Sequence, residues 1–103
     1  MKILVQAKNM KITKAIQSFV ETKATRTVAK VGRGVTKVKV YLENVARKKN
    51  DPEGAKAKIE IDVPGRKTVL VEGKSFDPYQ AISKALRAGE RRLRKIKEKS
   101  IGH

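Results

Sequence analysis

Two hydrophobic periods alternate along this chain, and the switches between them divide it into six elements. Ile3 to Ala7 is a short apolar run that reads as a strand, closed by Lys8-Asn9. Beyond it, Ile16, Phe19, Val20, Ala24, Val28 and Val31 recur at steps of three and four, which predicts a helix with one apolar stripe. Lys23, Arg26 and Lys30 fall towards the other side. Thr13 stands where an N-cap belongs, its hydroxyl available to the first free backbone N–H groups. Gly32-Arg33-Gly34 is the expected stop, because glycine best tolerates the left-handed conformation past a helix C-terminus.

From Val35 the period changes to two. Val38, Val40 and Leu42 alternate with Lys37, Lys39, Tyr41 and Glu43, as in a half-buried strand. Residues 46–54, ARKKNDPEG, make a charged, turn-rich loop. Alternation resumes with Ala57, Ile59, Ile61 and Val63 against Lys58, Glu60 and Asp62, and Pro64-Gly65 then reverses the chain. A fourth strand is expected over about Lys67 to Glu72. The period of 3.6 returns from Asp77 to Lys99, where Tyr79, Ile82, Leu86, Leu93 and Ile96, with Gly89 in register, form a single stripe.

The order β-α-β-β-β-α predicts an α+β fold. The first helix has to deliver the chain to a strand beside the first, a right-handed parallel crossover, and strands two to four make an antiparallel meander. One apolar stripe per helix and one apolar face per strand put both helices side by side on one face of a four-stranded mixed sheet. The cationic sides of the helices then share the solvent face. The expected organisation is one domain over residues 1–99 and a short tail over 100–103.

Charge narrows what this domain is for. Lys and Arg number 26 against 10 Asp and Glu, a net charge of +16 in 103 residues. Self-repulsion of that size destabilises a compact state, so the excess implies an anionic partner. The chain has no Cys, which excludes disulfides and thiolate metal sites, and its one His is His103. No apolar run approaches the roughly 18 residues of a membrane span, and MKILVQAKNM lacks the pattern of a signal peptide. The expectation is a soluble intracellular protein.

A catalytic role has little to stand on. Nucleophile-and-base chemistry needs a Cys or Ser beside a His or comparable base, and the scattered carboxylates read as solvated surface. The glycines lack the phosphate-loop spacing. No cofactor, metal or small-molecule substrate is expected.

The last helix is different. Lys84, Arg87, Arg91, Arg92, Arg94, Lys95, Lys97 and Lys99 face Glu90 and Glu98 within the same stretch. Interaction with the helix macrodipole and an i,i+4 pairing of Glu90 with Arg94 account for two or three of these cations, not eight. Nucleic acid is the expected partner in preference to an acidic membrane, for which the stripe lacks surplus bulky residues.

The mode of recognition can be narrowed too. A sheet that stacks bases needs aromatics on its central strands, and only Tyr41 lies on a strand. The GxxG clamp of a KH module is absent. The βββα tail has the topology of a double-stranded-RNA-binding domain, but its last helix begins Asp77-Pro78-Tyr79 where such domains carry lysines. What remains is phosphate and shape recognition by a helical face.

Two segments resemble a known family. Lys8-Asn9-Met10-Lys11-Ile12-Thr13-Lys14-Ala15-Ile16 is similar to an N-(M/I)-x-(I/L)-T-x-A-I segment. Asp77-x-Tyr79-x-Ala81-Ile82 is followed by Glu90-Arg91-x-Leu93-Arg94-Lys95-x-Lys97. In this order and spacing they resemble the ribosome hibernation promotion factors, which include the ribosome-associated inhibitor and the light-repressed protein of cyanobacteria.

The resemblance implies a domain that binds the small ribosomal subunit and its ribosomal RNA between head and body. There it would occupy the mRNA channel and the A- and P-site tRNA positions and silence idle ribosomes under stress or in stationary phase. It implies Lys23, Arg87, Arg91, Arg94, Lys95 and Lys97 as RNA contacts. Lys84, Arg26 and Lys30 join them on pattern alone. Asp77 is expected to cap the last helix and Tyr79 to anchor it. The implied setting is the bacterial cytoplasm or a plastid, with the protein a monomer off the ribosome.

The competing functions are a generic RNA-binding or ribosome-assembly module and a sigma-factor-linked modulator of transcription. Two positions depart from the family pattern. Gly89 stands where a bulky apolar residue is usual, and either loosens the helix by about 1 kcal/mol relative to Ala or permits close approach to the sheet. Arg92 stands where Gln is common. Long members carry a further C-terminal dimerisation domain, so this sequence corresponds to a short form or to an N-terminal domain.

Overall fold

A computed structural model describes residues 1–31, 34–46, 48–49 and 51–101, the side chains of 31 and 97–101 excepted. The elements are β1 (Lys2–Lys8), α1 (Lys14–Val31), β2 (Lys37–Asn44), β3 (Ala55–Asp62), β4 (Val69–Ser75) and α2 (Pro78–Ile101). This is the expected order.

The sheet runs β1-β2-β3-β4, with β1 parallel to β2 and the remaining pairs antiparallel. Its register aligns Ile3 with Val38, Val38 with Ile61 and Ile61 with Val69, so one face is apolar from edge to edge. Both helices cover that face. Val20, Ala24, Ile82, Ala85, Leu86 and Leu93 meet Val38, Val40, Leu42, Ile59 and Ile61 in a single buried cluster. No polar or charged side chain among the described residues lies buried in it. At roughly 1.5–3 kcal/mol per fully buried aliphatic side chain, this seam is what holds the layers together.

Local signals behave as their chemistry requires. Thr13 Oγ1 accepts from Ile16 N–H at 3.1 Å, and Asp77 Oδ1 accepts from Gln80 N–H at 2.9 Å, so each helix has a capped N-terminus. Asn9 turns the chain out of β1 at a φ of 60°, a conformation Asn tolerates better than most residues. In the β3–β4 turn Arg66 N–H donates to Val63 O at 3.1 Å, with Gly65 at a φ of 75°. Of the proposed stop to α1, Gly34 has a φ of 81°, while Gly32 and Arg33 lie outside the described residues.

Two expectations need correction. The fourth strand begins at Val69 and runs to Ser75, not from Lys67 to Glu72. Gly73 is thus inside it, facing the core, because α2 crosses directly above. A Cβ there would collide with Ala81 O and would lie 2.6 Å from Ala85 N. Tyr79 is not on the buried stripe either. It remains 37% exposed, and Ala81 and Ala85, both fully buried, take the sheet-facing positions of the first turns. At Gly89 the close-approach alternative holds, since a Cβ would sit 2.9 Å from Ile61 Cδ1.

Candidate nucleic-acid interface

The helices lie side by side and run parallel. Phe19 and Tyr79 meet near their N-terminal ends, with ring centroids 5.0 Å apart and planes at 81°. Eleven residues further along each helix, about 16 Å at 1.5 Å per residue, Lys30 and Glu90 line one end of a groove between the helices.

Its walls are Lys23, Arg26, Thr27 and Lys30 from α1 and Ser83, Leu86, Arg87 and Glu90 from α2. Steps of three and four along two parallel helices place these residues opposite one another. The topology therefore brings Arg87 of α2 beside three cations of α1 that are far from it in the sequence. Lys23 is half-buried, its ammonium 5.7 Å from the centre of the Phe19 ring, an attractive cation–π contact. Arg26, Lys30 and Arg87 are exposed. Thr27 and Ser83 add hydroxyls between them, so the groove offers both charge and neutral donors to phosphate oxygens.

The remaining candidates lie elsewhere on α2. Lys84 and Arg91 face the opposite flank of the helix, along a second groove with Arg87, Lys74, Glu53 and Glu72. Lys84 Nζ donates to the Lys74 carbonyl at 3.1 Å, which ties α2 to the β4 edge and holds the lysine in place. Arg87 lines both grooves. Arg94 pairs with Glu90, Nη2 to Oε2 at 3.3 Å, the i,i+4 contact expected from the sequence. Lys95 and Arg92 are exposed on the part of α2 that runs past the end of α1. The side chain of Lys97 lies outside the described residues.

Three contributors were missed from sequence. Lys74 joins the second groove because β4 extends to Ser75, and the alternation Val69, Val71, Gly73 would have given its outward direction. Thr27 and Ser83 carried no signal of their own, since their position depends on how the helices align.

The open face of the sheet also carries cations, and several of them have carboxylate partners, although Lys2 stands opposite Lys37 and Lys56 opposite Lys74. Lys8 lies 4.0 Å from Glu43, Lys37 3.5 Å from Asp62, Lys56 3.3 Å and Lys58 4.0 Å from Glu72. Lys39 sits 5.2 Å from the centre of the Tyr41 ring. Hydrogen bonding to Tyr41, and then the charge of that group, raises its pKa above the ordinary lysine value.

Among the described residues no group of three or more His, Cys, Asp and Glu is placed to hold a metal ion. No described helix is long and apolar enough to cross a membrane.

Residues 3–101 match the family described as "Sigma 54 modulation protein / S30EA ribosomal protein". The chain is 32% identical over 102 residues to a protein from Picosynechococcus sp. named "Ribosome hibernation promotion factor". That match takes in 99% of this chain but 52% of the relative, so the chain spans about half the relative's length. Among solved structures, the N-terminal domain of Thermus thermophilus Protein Y is similar at 32% identity and a TM-score of 0.77. The match covers 93% of this chain and 99% of that domain. A ribosomal subunit interface protein from Coxiella burnetii shares the fold at 18% identity and a TM-score of 0.78, over 94% of this chain and 98% of the other.

Proposed function

This chain belongs to the Sigma 54 modulation protein / S30EA ribosomal protein family, and on that premise we propose that it binds the small ribosomal subunit through ribosomal RNA and inhibits translation by idle ribosomes. The observation that carries the reading is the inter-helix groove, where Lys23, Arg26, Lys30 and Arg87 converge with two hydroxyls. Such a surface matches a phosphate backbone in charge and in donor chemistry. The name of the Picosynechococcus relative at 32% identity supports the ribosome as the source of that backbone.

In this reading the sheet is a rigid support and the helices are the contact layer. Arg87 is shared by both flanks of α2, so the helix presents as a cationic ridge with a groove on each side. A ridge of this kind fits between two RNA strands or two rRNA helices. Seated between head and body of the small subunit, it would exclude mRNA and the A- and P-site tRNAs. Inhibition is then occupancy, reversed by dissociation, with ribosomal RNA left chemically unchanged. The proposed setting is the cytoplasm of a bacterium or its plastid equivalent.

The test is a titration of labelled protein against purified small subunits, empty or loaded with mRNA and initiator tRNA, at several salt concentrations. Binding to empty subunits is expected, with competition by the loaded state. About six phosphate contacts give a log–log salt slope near −4 to −5. RNA polymerase holoenzyme serves as the control for the sigma-factor reading. Equal affinity for empty and loaded subunits with a flat salt response, or tighter binding to holoenzyme, would overturn the proposal.

A further inference from the structure

An aromatic pair lies just beyond the Lys23 end of the inter-helix groove, in contact with that lysine. The chain has two Phe and two Tyr, and Phe19 and Tyr79 stand together where α1 and α2 begin, edge against face. Tyr79 leaves 37% of its surface in solvent. Phe19 packs against the core, but Tyr79 does not, since Ala81, Ile82, Ala85 and Leu86 already seal α2 against the sheet. The ring pair also joins directly to the cations. Lys23, which lines the groove, lies over Phe19, and Phe19 packs on Tyr79.

We propose that this aromatic pair takes an unstacked base of single-stranded RNA, with Tyr79 as the stacking surface and Lys23 beside the adjoining phosphate. The inference rests on the polyanion reading of the groove and specifies what kind of nucleic acid enters it. A charged track that follows a backbone, joined to an aromatic ring on which a base stacks, is the chemistry of sequence-tolerant single-strand binding. A duplex keeps its base faces inside the stack and offers Tyr79 nothing. The groove therefore distinguishes single strand from duplex at equal charge, without reading base edges.

The chain has no Trp, and its other tyrosine, Tyr41, pairs in register with Gln6 and Lys58 on the open face of the sheet, away from the helices. A Tyr41→Phe variant consequently leaves Tyr79 as the sole tyrosine emitter. The probes are a short oligoadenylate, a blunt RNA duplex of the same length and inorganic polyphosphate, which carries the charge and no base. Oligoadenylate should quench Tyr79 emission saturably, while duplex and polyphosphate bind without that quench.

In the otherwise natural chain, Tyr79→Leu should weaken oligoadenylate binding about tenfold, and Tyr79→Phe should restore it. Polyphosphate affinity should stay the same in both variants, which also shows that the groove remains folded. Oligoadenylate binding with unchanged Tyr79 emission would overturn the inference and leave ribosome binding through phosphates standing. So would a Tyr79→Leu loss that is equal for oligoadenylate and polyphosphate. Failure of both polyanions to bind would remove the groove reading itself, and this inference with it.

Discussion

The two faces of this domain use the same residue type to opposite ends. On the open face of the sheet, register sets Lys37 opposite Asp62, Lys39 opposite Glu60, Glu43 opposite Lys56 and Lys58 opposite Glu72. Opposite charges across a strand pair stabilise each other modestly, and the two that close into ion pairs, Lys37–Asp62 and Lys58–Glu72, are worth about 0–1 kcal/mol each. On the helical face the ion pair among the described residues is Arg94 with Glu90. Lysines that face carboxylates serve the sheet. Lys23, Arg26, Lys30 and Arg87 instead crowd one groove with Glu90 as its lining carboxylate, and on the proposed reading an anionic partner relieves their mutual repulsion. Net charge alone does not reveal this division.

The faces share one core, and the largest expected effect is its loss. Leu93→Asp puts a carboxylate at a position 4% exposed, with no partner in an apolar seam. It should abolish the cooperative thermal transition seen by circular dichroism, removing both faces together. If the variant melted like wild type, α2 would not depend on that seam.

A smaller effect sharpens how the helical face is held. Gly73→Ala should cost about 1–3 kcal/mol, because its Cβ meets the backbone of α2, which has to lift off the sheet. Gly89→Ala should cost much less, since its Cβ presses on the side-chain end of Ile61 and meets Val71 Cγ2 at an ordinary 3.6 Å, and a gain of about 1 kcal/mol in helix propensity offsets the contact. The midpoints of urea unfolding give the ranking. A larger loss at Gly89 would contradict the placement of α2.

That pair of glycines also marks where the sequence stopped being legible. Periods of two and 3.6 carried all six elements, their order and the layer arrangement, because one-sided burial leaves a direct trace in the sequence. Thr13 and Asp77 were legible as caps for the same local reason. Gly73 was not, because a glycine in an alternating run reads as an end when its cause, a helix crossing above, is distant in sequence. Tyr79 carried stripe spacing, yet small residues were needed where α2 approaches β4, so Ala81 and Ala85 took the sheet side. The cations were legible as a set. Their division between two flanks of α2 was not, because it follows from the alignment of α1 with α2, which no local pattern encodes.

The smallest effect concerns the acid within the basic face. Glu90→Gln removes the one carboxylate lining the inter-helix groove and frees Arg94. Affinity for small subunits should rise by about two- to fivefold at low salt, the gain shrinking as screening increases. Stability should change by no more than about 0.5 kcal/mol. Weaker binding would mean that Glu90 positions Arg94 for contact rather than competing with the RNA.

The central claim is that location, not net charge, decides which cations bind. Two variants test it, one carrying Lys23→Gln, Arg26→Gln, Lys30→Gln and Arg87→Gln in the groove, the other Lys8→Gln, Lys37→Gln, Lys39→Gln and Lys58→Gln on the open sheet. Each lowers the net charge by four from +16. The measurement is affinity for purified small ribosomal subunits across a salt series. The groove variant should lose roughly a hundredfold or more, and its log–log salt slope should flatten by about 3 to 4, close to one unit per lost phosphate contact. The sheet variant should stay within about threefold of wild type with its slope preserved, as its charges are already partnered. Equal losses in the two variants would contradict the account and leave binding to net charge alone.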